Sequence, residues 1–447
     1  MTMKKIAARA CLACVTWLFG LQNAWALLPI EHWQQDSGAQ VWLVHSPGIP
    51  MVDVQIAFDA GSRRDLPAQA GLAQAVALMS SKGVAEQGAA PALDENQLGA
   101  AWADLGASFG ASAGRDSFGY ALRTLTEPDL LARATQLAAR QIAAPSFPAA
   151  VWENERQRWG AAIKESYTRP GPVAARAFAQ AVYASHPYGA RPSPESLAQI
   201  AVADMQGFHT RFVRPCRARI SLVGALDKAQ AQALVQQLLA GLPAGGDCPA
   251  LPAVADAPDL AQASVHHIPF AAAQAQVLIG QVGIARNDPD FLALLLGNHI
   301  LGGSGLVSRL TEEVREKRGL SYSVYSDFST GLNRGAFVIG LQTRPDQAQE
   351  ALAVARRTLA RYVAEGPTEE ELRAAKANLI GGFALRIDSN QKLLANVANI
   401  AWNGLPLDYL EHWTQRLQAL TREQVRAALQ RHLQPERMAT VVVGGQP

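Results

Sequence analysis

Net charge is nearly missing from this chain: 40 lysines and arginines stand against 38 aspartates and glutamates, leaving +2 at pH 7. The charges are spread along the sequence without a basic arm or an acidic tail, so the electrostatic footprint of a nucleic-acid partner is lacking. No two of the nine histidines stand three or four residues apart. A helical zinc site needs two ligands that share a face and reach one ion at about 2 Å, so no self-contained metal site is expected. His266 and His267 are adjacent in an expected strand, where successive side chains point to opposite faces. Nucleophile signatures are lacking too: there is no G-x-S-x-G elbow and no cysteine in a protease context. The GGSG at 302–305 lacks the lysine of a phosphate loop and reads as a glycine turn. The acid pairs Glu312-Glu313 and Glu369-Glu370 fall at helix starts, where they complement the macrodipole.

Long apolar runs are confined to the N-terminus. Lys4, Lys5 and Arg9 precede an apolar run from about Ala10 to Leu21, and Ala24-Trp25-Ala26 offers a small-x-small cleavage signal. Residues 1–26 therefore read as a secretory signal peptide, too short for a membrane anchor, and no other segment could span a bilayer. The mature protein is expected in the periplasm, without a membrane span. Cleavage removes Cys11 and Cys14 and leaves Cys216 and Cys248 in a compartment that permits disulfides. Spacing does not say whether this pair is bridged or remains two buried thiols, and it is read as structural either way.

Apolar substance is abundant, at 49% of residues against 17% charged. A chain of 447 residues exceeds one ordinary core, so two domains of roughly 200 residues are the default. Residues 241–262 are rich in Pro, Gly and Ala without periodicity and read as a linker between domains at 27–240 and 263–447. Each half runs strands, an apolar helix, paired strands and long helices, and closes on a short apolar strand. The segments from Gly119 and from Phe337 both read strand, Pro-Asp turn, amphipathic helix, with Pro128-Asp129 and Pro345-Asp346 a domain length apart. The expected fold is α+β: two tandem homologous domains, each a largely antiparallel sheet backed by helices. Helices are expected over 72–81, over DFLALLLGNHIL and over LVSRLTEEVREK, with Tyr322 opening a strand.

One block carries more. FDAGSRRDLPAQAGLAQAVALMSSKGV resembles the N-terminal signature of the pitrilysin/insulinase family of zinc peptidases, through Gly61, Ser62, Arg63, Gly71, Leu72, Ala73, Met79, Lys82 and Gly83. The family's motif GlaHxxEHmxfkGt places its first zinc histidine at Gln74, its general-base glutamate at Ala77 and its second histidine at Leu78. Its third ligand, a glutamate seven residues after another, falls at Ala162 when Glu155 is matched to the upstream one. Leu78 and Ala162 have no donor atom, Gln74 is a poor ligand, and Ala77 cannot take a proton from water, so this chain is expected to bind no zinc and to be inactive alone.

The segment LGGSGLVSRLTEEVREKRGLSYSVYSDFS resembles the family's second signature closely. The resemblance implies that Arg315 and Tyr322 contact a peptide substrate and help to stabilise the reacting carbonyl; without it, a helix-capping arginine and a packed tyrosine would be the simpler reading. HPYG at 186–189 reads as a turn. Some bacterial members of the family are heterodimers in which one chain brings zinc and base and the other the Arg/Tyr pair. The resemblance therefore implies a non-catalytic subunit that presents Arg315 and Tyr322 to a homologous zinc-bearing peptidase subunit. The alternative is an inactive homologue that binds peptides or serves as a scaffold.

Overall fold

The computed structural model describes residues 29–243 and 248–444, so the leader at 1–26 lies outside the described residues. Alternating apolar segments build two large sheets, beside a two-stranded ribbon of Gly83–Val84 and Leu93–Asp94. The first contains β1 (Glu31–Gln34), β2 (Gln40–His45), β3 (Met51–Phe58), β4 (Ser108–Ala113), β5 (Phe118–Leu125) and β6 (Arg219–Gly224), in the order β1-β2-β6-β3-β5-β4. The second contains β7 (Ser264–Ile268), β8 (Ala275–Val282), β9 (Val324–Phe328), β10 (Ala336–Thr343) and β11 (Ala439–Val443), in the order β9-β10-β8-β11-β7. Each sheet is antiparallel except for one pair, β2 with β6 and β11 with β7.

Followed from the hairpin edge, β4-β5-β3-β6-β2 and β9-β10-β8-β11-β7 trace the same path, so the sequence repeat is a repeat of topology. In both halves the strand before the Pro-Asp turn, β5 or β10, leads into a long helix, Pro128–Ala143 or Ala348–Glu365. The first of these places Ala134, Leu137, Ala138 and Ile142 on one buried face, the 3.6-residue spacing of a helix laid on a sheet.

The halves also exchange a helix. Pro170–Tyr183, from the first half, lies across β8 and β11 and packs Phe178, Ala179 and Val182 against Leu278, Val282 and Val441. Asn390–Asn403, from the second half, lies across β6 and β3, and its Leu393, Leu394 and Val397 share a core with Trp42, Val44 and Val223. Central strands covered on both faces lose the inside-outside alternation. All eight residues of β8, AQVLIGQV, are buried. Each large side chain enclosed this way contributes roughly 1.5–3 kcal/mol.

Cys216 and Cys248 are joined by a disulfide with their Cα atoms 6.2 Å apart, which settles the question their spacing left open. Beyond Cys248 the connecting chain lies along the protein, accepting hydrogen bonds from Arg217 (to Pro249 O, 2.7 Å), Arg64 (to Pro252 O, 2.9 Å) and Asn333 (to Val254 O, 2.8 Å). No helix among the described residues is long and apolar enough to cross a membrane.

Local structure departs from expectation after residue 298. The helix Phe291–Asn298 widens into a π-type turn at His299–Gly303. The helix expected over LVSRLTEEVREK is shorter and wider than expected: a 3-10 turn at Gly305–Val307 precedes it, and it runs from 309 to 316, π-helical over Thr311–Glu316. Tyr322 precedes β9, which begins at Val324. Close approach explains the first change: a Cβ on Gly302 would come within 2.5 Å of both Ser326 N and its Oγ. The backbone thus runs against β9 there, and the wide turn accommodates the crossing.

Candidate functional site

The short helix Leu72–Met79 is seated by its apolar face: Ala73, Ala75, Val76, Ala77 and Met79 are all buried. Its N-terminus has no capping side chain of its own, and Gly71 precedes it with φ +109°. The carboxylate of Asp65 supplies the cap from six residues upstream, accepting from Gly71 N (3.0 Å) and Ala73 N (3.1 Å). Burial pushes the Asp65 pKa up to about 7, against the opposing pull of these backbone N–H groups.

Gln74, half-buried, turns into a cavity of about 240 Å³ whose wall includes Ser62, Asp65, Arg115 and Arg191. Its Oε1 is buried without a hydrogen-bond partner. Ala77 is buried and Leu78 half-buried on the same helix. Ala162 is exposed on the helix Ala149–Ser166, two turns beyond Glu155, a spacing that puts both on one stripe. Glu155 faces the end of the first helix, where Lys82 Nζ lies 3.1 Å from it and 2.7 Å from Glu95; Arg158 completes the cluster. Burial opposes the charge of Glu155, yet Lys82 and Arg158 hold its pKa below the ordinary value. One amide, one aliphatic side chain and two methyl groups thus occupy the four positions where the resemblance would place ligands and base. They do not fit a catalytic zinc, which needs three donor side chains. Among the described residues the grouping with ligand atoms close together is elsewhere, at Asp288, Asp290 and His432. There Arg431 and His432 already bond the Asp290 carboxylate.

Arg315 and Tyr322 are brought together. The Arg315 guanidinium lies over the Tyr322 ring, 4.8 Å from its centre, and Tyr322 is 82% exposed. Gly319, at φ +63°, turns the chain between them. The neighbouring charges are tied up locally: Glu313 is bonded by Lys317 and Arg318, which hold its pKa down at about 2. Arg309 makes a two-pronged pair with Glu371 at 2.6 and 2.7 Å, fixing the start of the turn. Arg315 keeps only Glu316, at 3.3 Å, as a carboxylate partner among the described residues. Leu306 and Val307, 69% and 84% exposed, add apolar surface on the glycine loop just upstream. Arg315 and Tyr322 do not line the cavity beside Gln74.

Sequence reasoning missed Tyr188. The HPYG segment is a 3-10 turn, as expected of a turn motif, but its tyrosine is buried and joins the halves. Tyr188 Oη donates to Asp116 (2.5 Å) and accepts from Asn333 N (3.0 Å), while Asp116 also accepts from Leu332 N (3.0 Å). Arg63, from the GSR stretch, donates to Asn333 Oδ1 at 2.9 Å. The first signature block therefore does structural work at the seam, and no local pattern signals partners more than 140 residues away.

Residues 40–191 match the family model described as Insulinase (Peptidase family M16), and residues 199–379 match the one described as Peptidase M16 inactive domain. The crystal structure of a peptidase M16 inactive domain from Pseudomonas fluorescens superposes with a TM-score of 0.88 at 34% identity, covering 94% of this chain and 98% of that one. A protease from Helicobacter pylori shares the fold, with a TM-score of 0.82 at 19% identity over 94% of this chain and 100% of its own. An uncharacterized zinc protease of Mycobacterium bovis is 29% identical over 278 residues, which is 62% of this chain and 63% of that protein's length.

Proposed function

The chain belongs to the insulinase family, peptidase family M16, and from that premise we propose that it is the non-catalytic subunit of a heterodimeric zinc peptidase, lending Arg315 and Tyr322 to the active chamber of a zinc-bearing partner. The observation that carries this reading is the stacked, solvent-facing Arg315–Tyr322 pair in a chain whose zinc and base positions hold Gln74, Ala77, Leu78 and Ala162. A guanidinium and a phenol side by side are two donors that can be aimed at the oxyanion of a peptide carbonyl under attack. In a closed chamber such donors act at full strength because solvent no longer screens them. The partner chain would supply the metal and the general base.

A periplasmic location is part of the proposal. The basic and apolar leader at 1–26 supports it, and so does the Cys216–Cys248 bridge, because disulfides persist in oxidising compartments.

The test pairs this chain with a homologous secreted zinc-bearing chain. Alone, the protein should hold no stoichiometric zinc and cleave no peptide; mixed, it should raise peptidase turnover. Removing an oxyanion donor of this kind costs on the order of 10²-fold in rate, so Arg315→Ala and Tyr322→Phe should reduce the gain about that much while the two chains still co-elute. Full turnover with both variants would transfer the protein to the second reading, a peptide-binding or scaffold homologue. The exposed Leu306 and Val307 would serve that reading equally well.

A further inference from the structure

Three arginines gather around the cavities at the base of the first half, none of them in a salt bridge among the described residues. Arg191 lines both the 240 Å³ cavity beside Gln74 and an adjoining one of about 450 Å³, Arg115 lines the first, and Arg176 the second. Arg191 donates through Nη1 to two backbone carbonyls, Tyr188 O (3.4 Å) and Ala190 O (3.2 Å). Arg176 donates to Pro192 O at 3.4 Å. Arg115 donates to Tyr183 Oη (3.5 Å) and to Ser329 O and Oγ (3.3 and 2.7 Å), with Tyr188 beneath it. None of the three has a carboxylate within 4 Å among the described residues, whereas Arg63 and Arg64 in the same block are both paired with Asp59.

The guanidiniums feel one another: desolvation together with the positive charges of Arg115 and Arg176 lowers the Arg191 pKa. The carboxyl in the cavity wall, Asp65, does not answer them, since its oxygens serve the helix N-terminus at Gly71 and Ala73. Glu195 is fully exposed and bonded to Ser193 and reaches Arg176 only through space, as Asp327 reaches Arg115, so neither closes an ion pair. Arg191 is exposed at the rim and Arg115 and Arg176 are half-buried; like charges gathered at a cavity repel one another, and an anion from outside relieves that repulsion. The second unmatched group is the buried Gln74 Oε1, an acceptor facing the same small cavity.

We propose that this cavity binds the C-terminal carboxylate of a peptide, with Arg191 and its neighbours taking the carboxylate and Gln74 accepting the N–H of the terminal residue. A carboxylate with an N–H one carbon away is the chemistry of a chain end, and an inorganic oxyanion brings no such N–H. The occupant rests on the peptide-handling reading above, whereas the charge imbalance does not. The position where the family motif has a zinc ligand thereby serves as an anchor for one end of the substrate.

The experiment measures fluorescence anisotropy of a labelled neutral Gly/Ala/Ser octapeptide, with a free C-terminus or a C-terminal amide, on the full mature chain without any partner. The free acid should bind at least tenfold more tightly than the amide. Arg191→Gln should erase that preference, as should Arg115→Gln if the first variant melts early. Equal binding of acid and amide, a preference that survives both variants, or no binding of either peptide overturns the proposal. Arg191-dependent binding of inorganic phosphate by protein that ignores both peptides overturns it as well. Arg315 and Tyr322 take no part in this assay, so its failure leaves the heterodimer reading standing, and loss of partner-dependent turnover leaves this one.

Discussion

Lys82 shows how single residues carry the vestige of the site. Its ammonium lies between Glu155 and Glu95, with a pKa raised chiefly by the bond to Glu95 and also by Glu155. Glu155 is only 7% exposed, and a buried carboxylate that loses its cation costs about 3–5 kcal/mol when nothing replaces it. Arg158 would remain, so Lys82→Met should lower stability by about 2–3 kcal/mol, read as a shift in the urea midpoint at unchanged slope. Asp65 acts in the opposite sense. Its ordinary pKa is 3.8 and its folded one about 7, so between those values the native protein holds a proton that the unfolded chain has released. Stability from this group is therefore greatest at low pH and declines as pH rises from about 4 to 7, by on the order of 2–4 kcal/mol in all. Unfolding free energies measured from pH 5 to 8 should slope downward in the wild type and much less so in Asp65→Asn. An equal slope in both would mean that the carboxylate is charged throughout.

At the scale of elements, the exchanged helices decide how the halves sit. Pro170–Tyr183 rests on β8 where Gly280 leaves room: a Cβ there would fall 2.7 Å from Phe178 Cζ and 2.1 Å from Phe337 O. Gly280→Val should lift the helix off its sheet and destabilise by about 3 kcal/mol or more. Proteolysis between the helices Ala149–Ser166 and Pro170–Tyr183 should then become faster; unaltered digestion would show that the seat tolerates a side chain. These helices also show where the sequence was readable. The strands and the paired Pro-Asp turns follow from apolar periodicity and turn chemistry, both local, and they lie where expected. The segment 305–317 has helical spacing too, but its helix begins only at 309, where Arg309 is tied to Glu371, and winds as a π-helix over Thr311–Glu316, while the crossing of Gly302 over Ser326 widens the turn before it. Such contacts are set by residues far along the chain, which a local pattern cannot register.

For the whole molecule, the polar seam holds two similar halves in one arrangement, and the disulfide ties the connecting chain to the first half. Cys216 and Cys248 are 32 residues apart, and closing a loop of that length restricts the unfolded chain by about 3–4 kcal/mol. Cys216→Ser/Cys248→Ser should unfold at lower urea by that amount, and the wild type in strong reductant should follow it. No shift in either would mean that the connecting chain is held by the Arg64, Arg217 and Asn333 bonds alone.

The sequence by itself determined the α+β class, the duplication and the loss of zinc chemistry, because each depends on side-chain type at local spacing: Gln74, Ala77 and Leu78 offer a metal almost nothing in any fold. Only the tertiary structure decided which residues meet. It set Tyr322 under Arg315, joined Tyr188 to Asn333 across the seam, and collected Arg115, Arg176 and Arg191 from three separate elements around one pair of cavities. The physical reason is that apolar burial specifies faces and elements, whereas the meeting of polar groups depends on how the two sheets and their exchanged helices come to rest against each other.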